Sequence, residues 1–350
     1  MTFPVQLTAG GRRIGPGSPT YLIAEAGSNH NRDLGTAKAL IDVAAQAGMD
    51  AVKFQTYSGE RIYSRVARSR SLEQTTGQTP AELLEAISLP REWHSELAEH
   101  AAAGGIHFFS SPFDHEAVDE LAELGVPLLK IASGEIVDLP LIRHAAATGI
   151  PLIVSTGMAT LADVDEALTA AAQAGASAVA LMQCASIYPA PPQRINLRAM
   201  ETLRAAFGVP AGLSDHTLGE VIPIAAAARG AAMIEKHITL DRTMEGPDHP
   251  FATEPEELAR MVAGVRDAEA ALGDGRKDGP GPEEREENFT LARRSLIAAR
   301  DLPAGTVIEP EMLRVKRPGS GIAPKHFDLV VGRTLRADVG ADDVLTWEVV

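Results

Sequence analysis

Eight short apolar runs, each followed by a helix-forming stretch, recur at near-even spacing from residue 21 onward. This alternation restricts the chain more than any other feature. The runs are YLIAEA (21–26), AVKFQ (51–55), HFFSS (107–111), LLKIAS (128–133), PLIVST (151–156), AVALMQC (178–184), AGLSD (211–215) and MIEKHI (233–238). Between them lie stretches such as LGTAKALIDVAAQAG, REWHSELAEHAAAGG, HEAVDELAELG, LADVDEALTAAAQAG and GEVIPIAAAARG. Many of these close on a glycine (Gly48, Gly104, Gly125, Gly149, Gly175, Gly230), the residue that best tolerates the left-handed turn ending a helix. Near-continuous apolar strands alternating with helices indicate a parallel sheet buried on both faces. Eight such units, the last completed by a helix over 255–272, match the number that closes into a (β/α)8 TIM barrel. A doubly wound open sheet is the competing arrangement, but no GxGxxG follows the first strand.

The barrel is expected over 1–272. GDGRKDGPGPEEREE then brings Gly, Pro and charge that cannot bury a core, and 273–290 reads as a linker. The last stretch, 291–350, carries SLIAARDLPAG, TVIEPEML, VGRTLRADVGA and VLTWEVV, short strands between turns that predict a small β-rich domain.

Nearly every strand ends in polar residues: Glu25 with Asn29 and His30, Lys53 and Gln55, Ser110 and Ser111, Lys130 and Ser133, Ser155 and Thr156, Ser186 and Tyr188, Ser214 and His216, Lys236 and His237. A lone serine there often only starts a helix. Eight strands doing so point to the C-terminal mouth, where active sites of this fold lie. GLSDHT (212–217) and MIEKHITLD (233–241) stand out, because two neighbouring strands bring His216 and His237 to one face. Either histidine alone reads more simply as a strand cap. The pair can share one divalent ion, with water or substrate completing its shell. Lys53 and Lys130 with the ring of hydroxyls can hold a phosphate. Glu25, Glu135 and Asp248 can accept sugar hydroxyls or move protons. Phosphate, metal and polyol recognition together suggest carbon–carbon bond formation between a phosphorylated acid and a sugar.

Bulk properties narrow the partners. A net charge of −15 over 350 residues argues against nucleic acid, which needs a basic surface. No apolar run is long enough to span a membrane, and the first residues lack the apolar core of a secretory signal. The single cysteine, Cys184, cannot form an internal disulfide, which agrees with a reducing cytoplasm.

The ordered motifs IAEAGSNHN, AGMDAVKFQTY, FFSSPFD, LLKIASGEI, STGM, CASIYPAP, INLRAM, GLSDHT, IEKHITLDR and GPDHPFA are similar to the N-acetylneuraminate (sialic acid) synthase family. That family includes the legionaminic, pseudaminic and spore-coat polysaccharide synthases. RRSLIAARDLPAGTVIEPEMLRVKRPGSGI resembles the antifreeze-like (SAF, β-clip) domain that follows the barrel in those enzymes, so the likeness covers essentially the whole chain. It implies condensation of phosphoenolpyruvate with an N-acyl hexosamine, N-acetylmannosamine or a 2,4-diacetamido relative, to a nine-carbon 2-keto-3-deoxy acid and phosphate. Carried across, it implies that Lys53, Ser111, Lys130, Ser133, Ser155, Ser186 and Ser214 contact phosphoenolpyruvate. His216 and His237 would hold Mn²⁺, or Mg²⁺ or Co²⁺ in its place. Glu25, Gln55, Glu135, Tyr188 and Asp248 would face the amino sugar. Arg317 would reach the mouth of the other subunit, making a domain-swapped homodimer. Ser186 in CxSxYP, where sialic acid synthases often carry Asn, is closer to the legionaminic branch. Segment 64–80 lacks a clear match to the sugar-contacting loop, with Gln74 as its candidate. Two other readings stay open: a Schiff-base pyruvate aldolase using Lys53, Lys130 or Lys236, and a non-catalytic glycan-binding protein.

Overall fold

The computed structural model describes residues 3–64, 66–69 and 77–350; Gln74 lies outside them. The chain divides into two units, Met1–Gly273 and Asp274–Val350.

In the first unit, β3 (Tyr21–Glu25), β4 (Ala51–Thr56), β5 (His107–Pro112), β6 (Leu129–Ile131), β7 (Leu152–Ser155), β8 (Val179–Cys184), β9 (Ala211–Asp215) and β10 (Met233–His237) pair in parallel, each with its successor. The ring closes where β10 pairs with β3, setting His237 opposite Glu25. Each observed strand falls on one of the eight expected runs, and the open sheet is excluded by this closure. Helices at Leu34–Ala47, His115–Leu124 and Leu161–Gln173 start on Asp33, Asp114 and Thr160, whose side chains accept from the backbone of the first turn. The first two end on Gly48 and Gly125 at φ 83° and 78°. Gly104 departs from expectation: its φ is −76°, and the left-handed residue is Gly105.

An additional feature precedes the barrel. Strands β1 (Leu7–Ala9) and β2 (Arg12–Ile14) form an antiparallel hairpin about Gly10 and Gly11. Its apolar side, Leu7, Ala9 and Ile14, belongs to the barrel's buried core. Gly10 lies against His107 at the start of β5, where an added Cβ would begin 2.4 Å from the imidazole. Arg12 pairs with Asp50, just before β4. The hairpin therefore covers the N-terminal end of the barrel.

The second unit has its own core, including Leu296, Ile308, Met312, Leu335 and Leu345. Its ladder is shorter than expected: β11 (Ser295–Ala298) pairs with β12 (Leu313–Lys316). The other runs contribute the single bridges Ile297–Val344, Leu302–Val339 and Val307–Thr334. Within 273–290, expected as a linker, helical turns run from Pro282 and continue to Ala292. No helix among the described residues is long and apolar enough to cross a membrane.

Candidate active site

A cavity of about 310 Å³ opens at the C-terminal mouth, and strand alternation builds its floor. On each strand the residue reaching the cavity stands two places after a fully buried one. Ile23 precedes Glu25, Ala51 precedes Lys53, Phe109 precedes Ser111, Leu128 precedes Lys130, Ile153 precedes Ser155, Met182 precedes Cys184, and Met233 precedes Glu235. On β9 Gly212 takes the lower place beneath Ser214, because a Cβ there would begin 2.2 Å from the Met233 carbonyl. The barrel is thus packed below, and a polar layer sits on the packing.

Two carboxylates and two ammoniums dominate that layer, all buried. Lys53 Nζ lies 2.7 Å from Glu25 Oε2 and 3.6 Å from Glu235 Oε1, and donates to Ser111 Oγ at 3.1 Å. Lys130 Nζ lies 3.3 Å from Glu235 Oε2. Ser214 Oγ donates to Glu235 Oε1 at 3.2 Å, and Gln55 Nε2 to Glu25 Oε1 at 2.6 Å. Burial opposes every one of these charges. It lifts Glu25 to about 7 in spite of Lys53, and pushes Lys130 below the usual ammonium range. In Glu235 the attraction of Lys130 and Lys53 outweighs burial and holds the carboxyl at about 2.

Beside the lysines the wall is made of hydroxyls and bare backbone. Gly157 N–H donates to Ser133 Oγ at 3.1 Å. A Cβ on Gly157 would begin 2.4 Å from Ser186 Oγ and 2.7 Å from Ser133 Oγ. The buried Ser155 and Ser186 hydroxyls have no hydrogen-bond partner among the described residues. Buried polar atoms normally find partners, so free hydroxyls beside two ammoniums suit an anion.

The imidazoles stand at the rim, their ring centroids 5.2 Å apart. His216 Nδ1 lies 2.9 Å from the Ala185 carbonyl; a carbonyl only accepts, so this nitrogen carries a proton and Nε2 is the one left to bind an ion, although Cys184 and that carbonyl together outweigh burial and raise the imidazole above its ordinary pKa. His237 is held well below its ordinary pKa by burial and by His216, hence neutral. Its Nδ1 has no hydrogen-bond partner among the described residues and lies 3.6 Å from Asp248 Oδ2. Tyr188 lies over His216 at 4.2 Å, and Phe251 meets both His237 (5.1 Å) and Tyr188 (5.3 Å). Asp248 Oδ2, His237 Nδ1 and Glu25 Oε1 converge where a side chain on Gly27 would begin, 2.9, 3.5 and 3.6 Å from its Cβ position. Neutral imidazoles are the metal-binding form. Among the described residues, no three of His, Cys, Asp and Glu are grouped to hold a metal ion. The donors present fit an ion held by two nitrogens with other positions open to water or substrate.

The cavity thus gathers Glu25, Lys53, Gln55, Ser111, Lys130, Ser133, Ser155, Ser186, Tyr188, Ser214, His216 and His237. Asp248 adjoins it through His237. Glu135 lies in the turn Ser133–Val137 but outside the lining, and Arg317 is exposed on the second unit, just after β12. Some strand-end residues expected at the mouth face outward instead, because neighbours on a strand point to opposite sides. Ser110 hydrogen-bonds Thr56 at 2.8 Å, Thr156 donates to the Met182 carbonyl, and Lys236 pairs with Asp215 at 2.6 Å. Asn29 donates to the Ile238 carbonyl, and His30 accepts from the backbone of Arg32. Lys236 is therefore no candidate nucleophile. The sequence reading gave no role to Glu235, the carboxylate between both lysines, although it shares the parity of His237 two residues on. Cys184, Phe113 and Met158 also line the cavity.

Comparison with known proteins identifies relatives along the whole chain. The profile of the NeuB family matches residues 40–277, and that of the SAF domain residues 293–350. The chain is 42% identical to the N,N'-diacetyllegionaminic acid synthase of Legionella pneumophila, over 94% of each protein. It is 39% identical to the enzyme of that name from Campylobacter jejuni, covering 93% of this chain and 98% of the other. Among solved structures, the N-acetylneuraminic acid (sialic acid) synthetase of Leptospira borgpetersenii, in complex with citrate, superposes with a TM-score of 0.73 at 35% identity. That superposition covers 82% of this chain and 96% of the other.

Proposed function

The chain belongs to the NeuB family, and on that premise we propose that it joins phosphoenolpyruvate to an N-acyl hexosamine with uptake of water. The products are a nine-carbon 2-keto-3-deoxy acid and inorganic phosphate. The observation that supports this most is the sharing of one cavity by a buried two-lysine, hydroxyl-lined pocket and a pair of imidazoles. A phosphorylated acid fits the first and an open-chain aldehyde the second.

In this reading Lys53 and Lys130, with Ser111, Ser133, Ser155, Ser186 and Ser214, bind the carboxylate and phosphate of phosphoenolpyruvate. Gln55, Tyr188 and Asp248 face the sugar, and Glu135, outside the cavity lining, has no contact to offer it there. His216 and His237 hold a divalent cation, Mn²⁺ or otherwise Mg²⁺ or Co²⁺, which supplies Lewis acidity to the aldehyde oxygen. C3 of the enol phosphate forms the new bond to the aldehyde carbon, and water adds at C2. Glu25, oriented by Gln55, takes one proton of that water on its carboxylate and passes it to the alkoxide left where the aldehyde C=O opened. The C2–O bond to phosphate then breaks as the C2 hydroxyl gives its proton to the leaving phosphate and becomes the ketone, and the charge that departs falls to Lys53 and Lys130. Two acetyl groups in the names of the legionaminic relatives, with Ser186 in CxSxYP, favour a 2,4-diacetamido hexose over N-acetylmannosamine as acceptor. Arg317 of a second copy completes the sugar site in a domain-swapped homodimer, and the enzyme works in the cytoplasm.

Phosphate release from phosphoenolpyruvate, measured with a panel of amino sugars with and without EDTA, tests the reading. Release that needs a diacetamido sugar and stops under chelation supports it. Product formation from pyruvate, unaffected by EDTA, would instead establish a Schiff-base aldolase. Sugar binding with no turnover of either donor would leave a glycan-binding protein.

A further inference from the structure

Behind the imidazoles, on the outer face of the barrel wall, lies a buried charge cluster that the chemistry above does not use. Asp215 and Lys236 are each 1% exposed. They sit opposite one another in the register of β9 and β10, with Lys236 Nζ 2.6 Å from Asp215 Oδ2. The same ammonium donates to the Thr217 carbonyl. Thr217 in turn gives its backbone N–H to Asp215 Oδ1 at 3.1 Å and its hydroxyl to Asp215 Oδ2 at 3.0 Å. His216 is thus bracketed by two residues of this cluster, and His237 directly follows the third. One ammonium ties the Asp215 side chain and the Thr217 carbonyl, on either side of His216, to the residue just before His237.

Stability alone does not account for such a pair. Desolvating two charges offsets most of their attraction, and apolar side chains of similar volume commonly serve as well or better. An apolar pair would not hold the Thr217 carbonyl and the turn about His216 in one geometry. We propose that Asp215, Thr217 and Lys236 are positioning residues that set the spacing and aim of His216 and His237 from outside the cavity. The inference rests on the reading of those histidines as a divalent-cation site.

The decisive variant is the double replacement Asp215→Leu with Lys236→Met, which removes both charges and strands neither. Full-length protein is titrated with Mn²⁺ alone, by calorimetry and by loss of the free-ion electron paramagnetic resonance signal, beside wild type and His237→Ala. The expected result is a thermal midpoint near that of wild type, Mn²⁺ affinity weaker by about tenfold, and an unchanged KM for phosphoenolpyruvate, since its lysines are untouched. Wild-type Mn²⁺ affinity in the double variant, with loss in His237→Ala, would overturn the positioning role and leave the cation site standing. Wild-type affinity in His237→Ala itself would overturn the cation site and this inference with it. If the double variant does not fold, Thr217→Val, which keeps the ion pair and loses only the hydroxyl, decides by the same titration. Weaker Mn²⁺ binding supports the role, and unchanged binding overturns it.

Discussion

Lys53 and Lys236 are both buried lysines of one barrel wall, and their company differs. Lys236 faces outward and is fully engaged by Asp215 and the Thr217 carbonyl. Lys53 faces inward, holds Glu25 alone and shares Glu235 with Lys130, and lines the cavity with Ser155 and Ser186, whose hydroxyls have no hydrogen-bond partner among the described residues. Outward charges are satisfied within the protein, whereas inward ones are arranged around a space. Breaking the outer set by one member should accordingly cost stability along with the aim of the histidines, whereas breaking the inner set should cost the donor's chemistry.

The same substitution on the two faces sharpens this contrast most. Lys130→Met is expected to lower kcat/KM for phosphoenolpyruvate by about 10³-fold, with Lys53 still pairing Glu235 so that the fold persists; steady-state kinetics beside a denaturation curve would show it. Lys236→Met alone should instead leave the KM for phosphoenolpyruvate unchanged and cost about 3 kcal/mol or more of stability, because Asp215 is left buried and unpaired. A Lys130 variant that unfolded while retaining turnover would break the division.

A second outward group gives a pH test. His94 Nε2 meets Thr56 Oγ1 at 3.0 Å, and burial, aided by Arg91, lowers its pKa to about 4. The unfolded chain takes up a proton near 6.5 and the folded one near 4, so its contribution is complete above pH 6.5 and is lost as pH falls toward 4. Urea midpoints across that window should record a loss of as much as about 3 kcal/mol, and His94→Gln should flatten the slope. Last, Gly157→Ala should raise the KM for phosphoenolpyruvate by about 10²-fold, because its methyl must displace the Ser133 and Ser186 hydroxyls. Wild-type kinetics in that variant would show that the hydroxyl wall is not part of the anion pocket.

The barrel was legible because its strands, three to six residues long, fall on short apolar runs set off by helices, many of which end on glycine. Side-chain direction was not. Where two polar residues adjoin at a strand end, as Glu235 and Lys236 do, only the register tells which one faces in, and register is a property of the closed ring. The C-terminal runs were harder still: Pro303, Gly305, Pro310 and Gly340 interrupt them, so most pairing there shrinks to single bridges. The hairpin before the barrel carried a usable signal, two glycines between Ala9 and Ile14. It falls outside the strand–helix repeat that organised the rest.

That hairpin has a kinetic consequence. With Leu7, Ala9 and Ile14 stoppering the far end, the barrel is a blind sac with a single doorway. Lys53, Lys130, His216 and His237 are all reached through that one opening. Both guests and whatever forms from them must share it, so occupancy by one slows the exchange of the other.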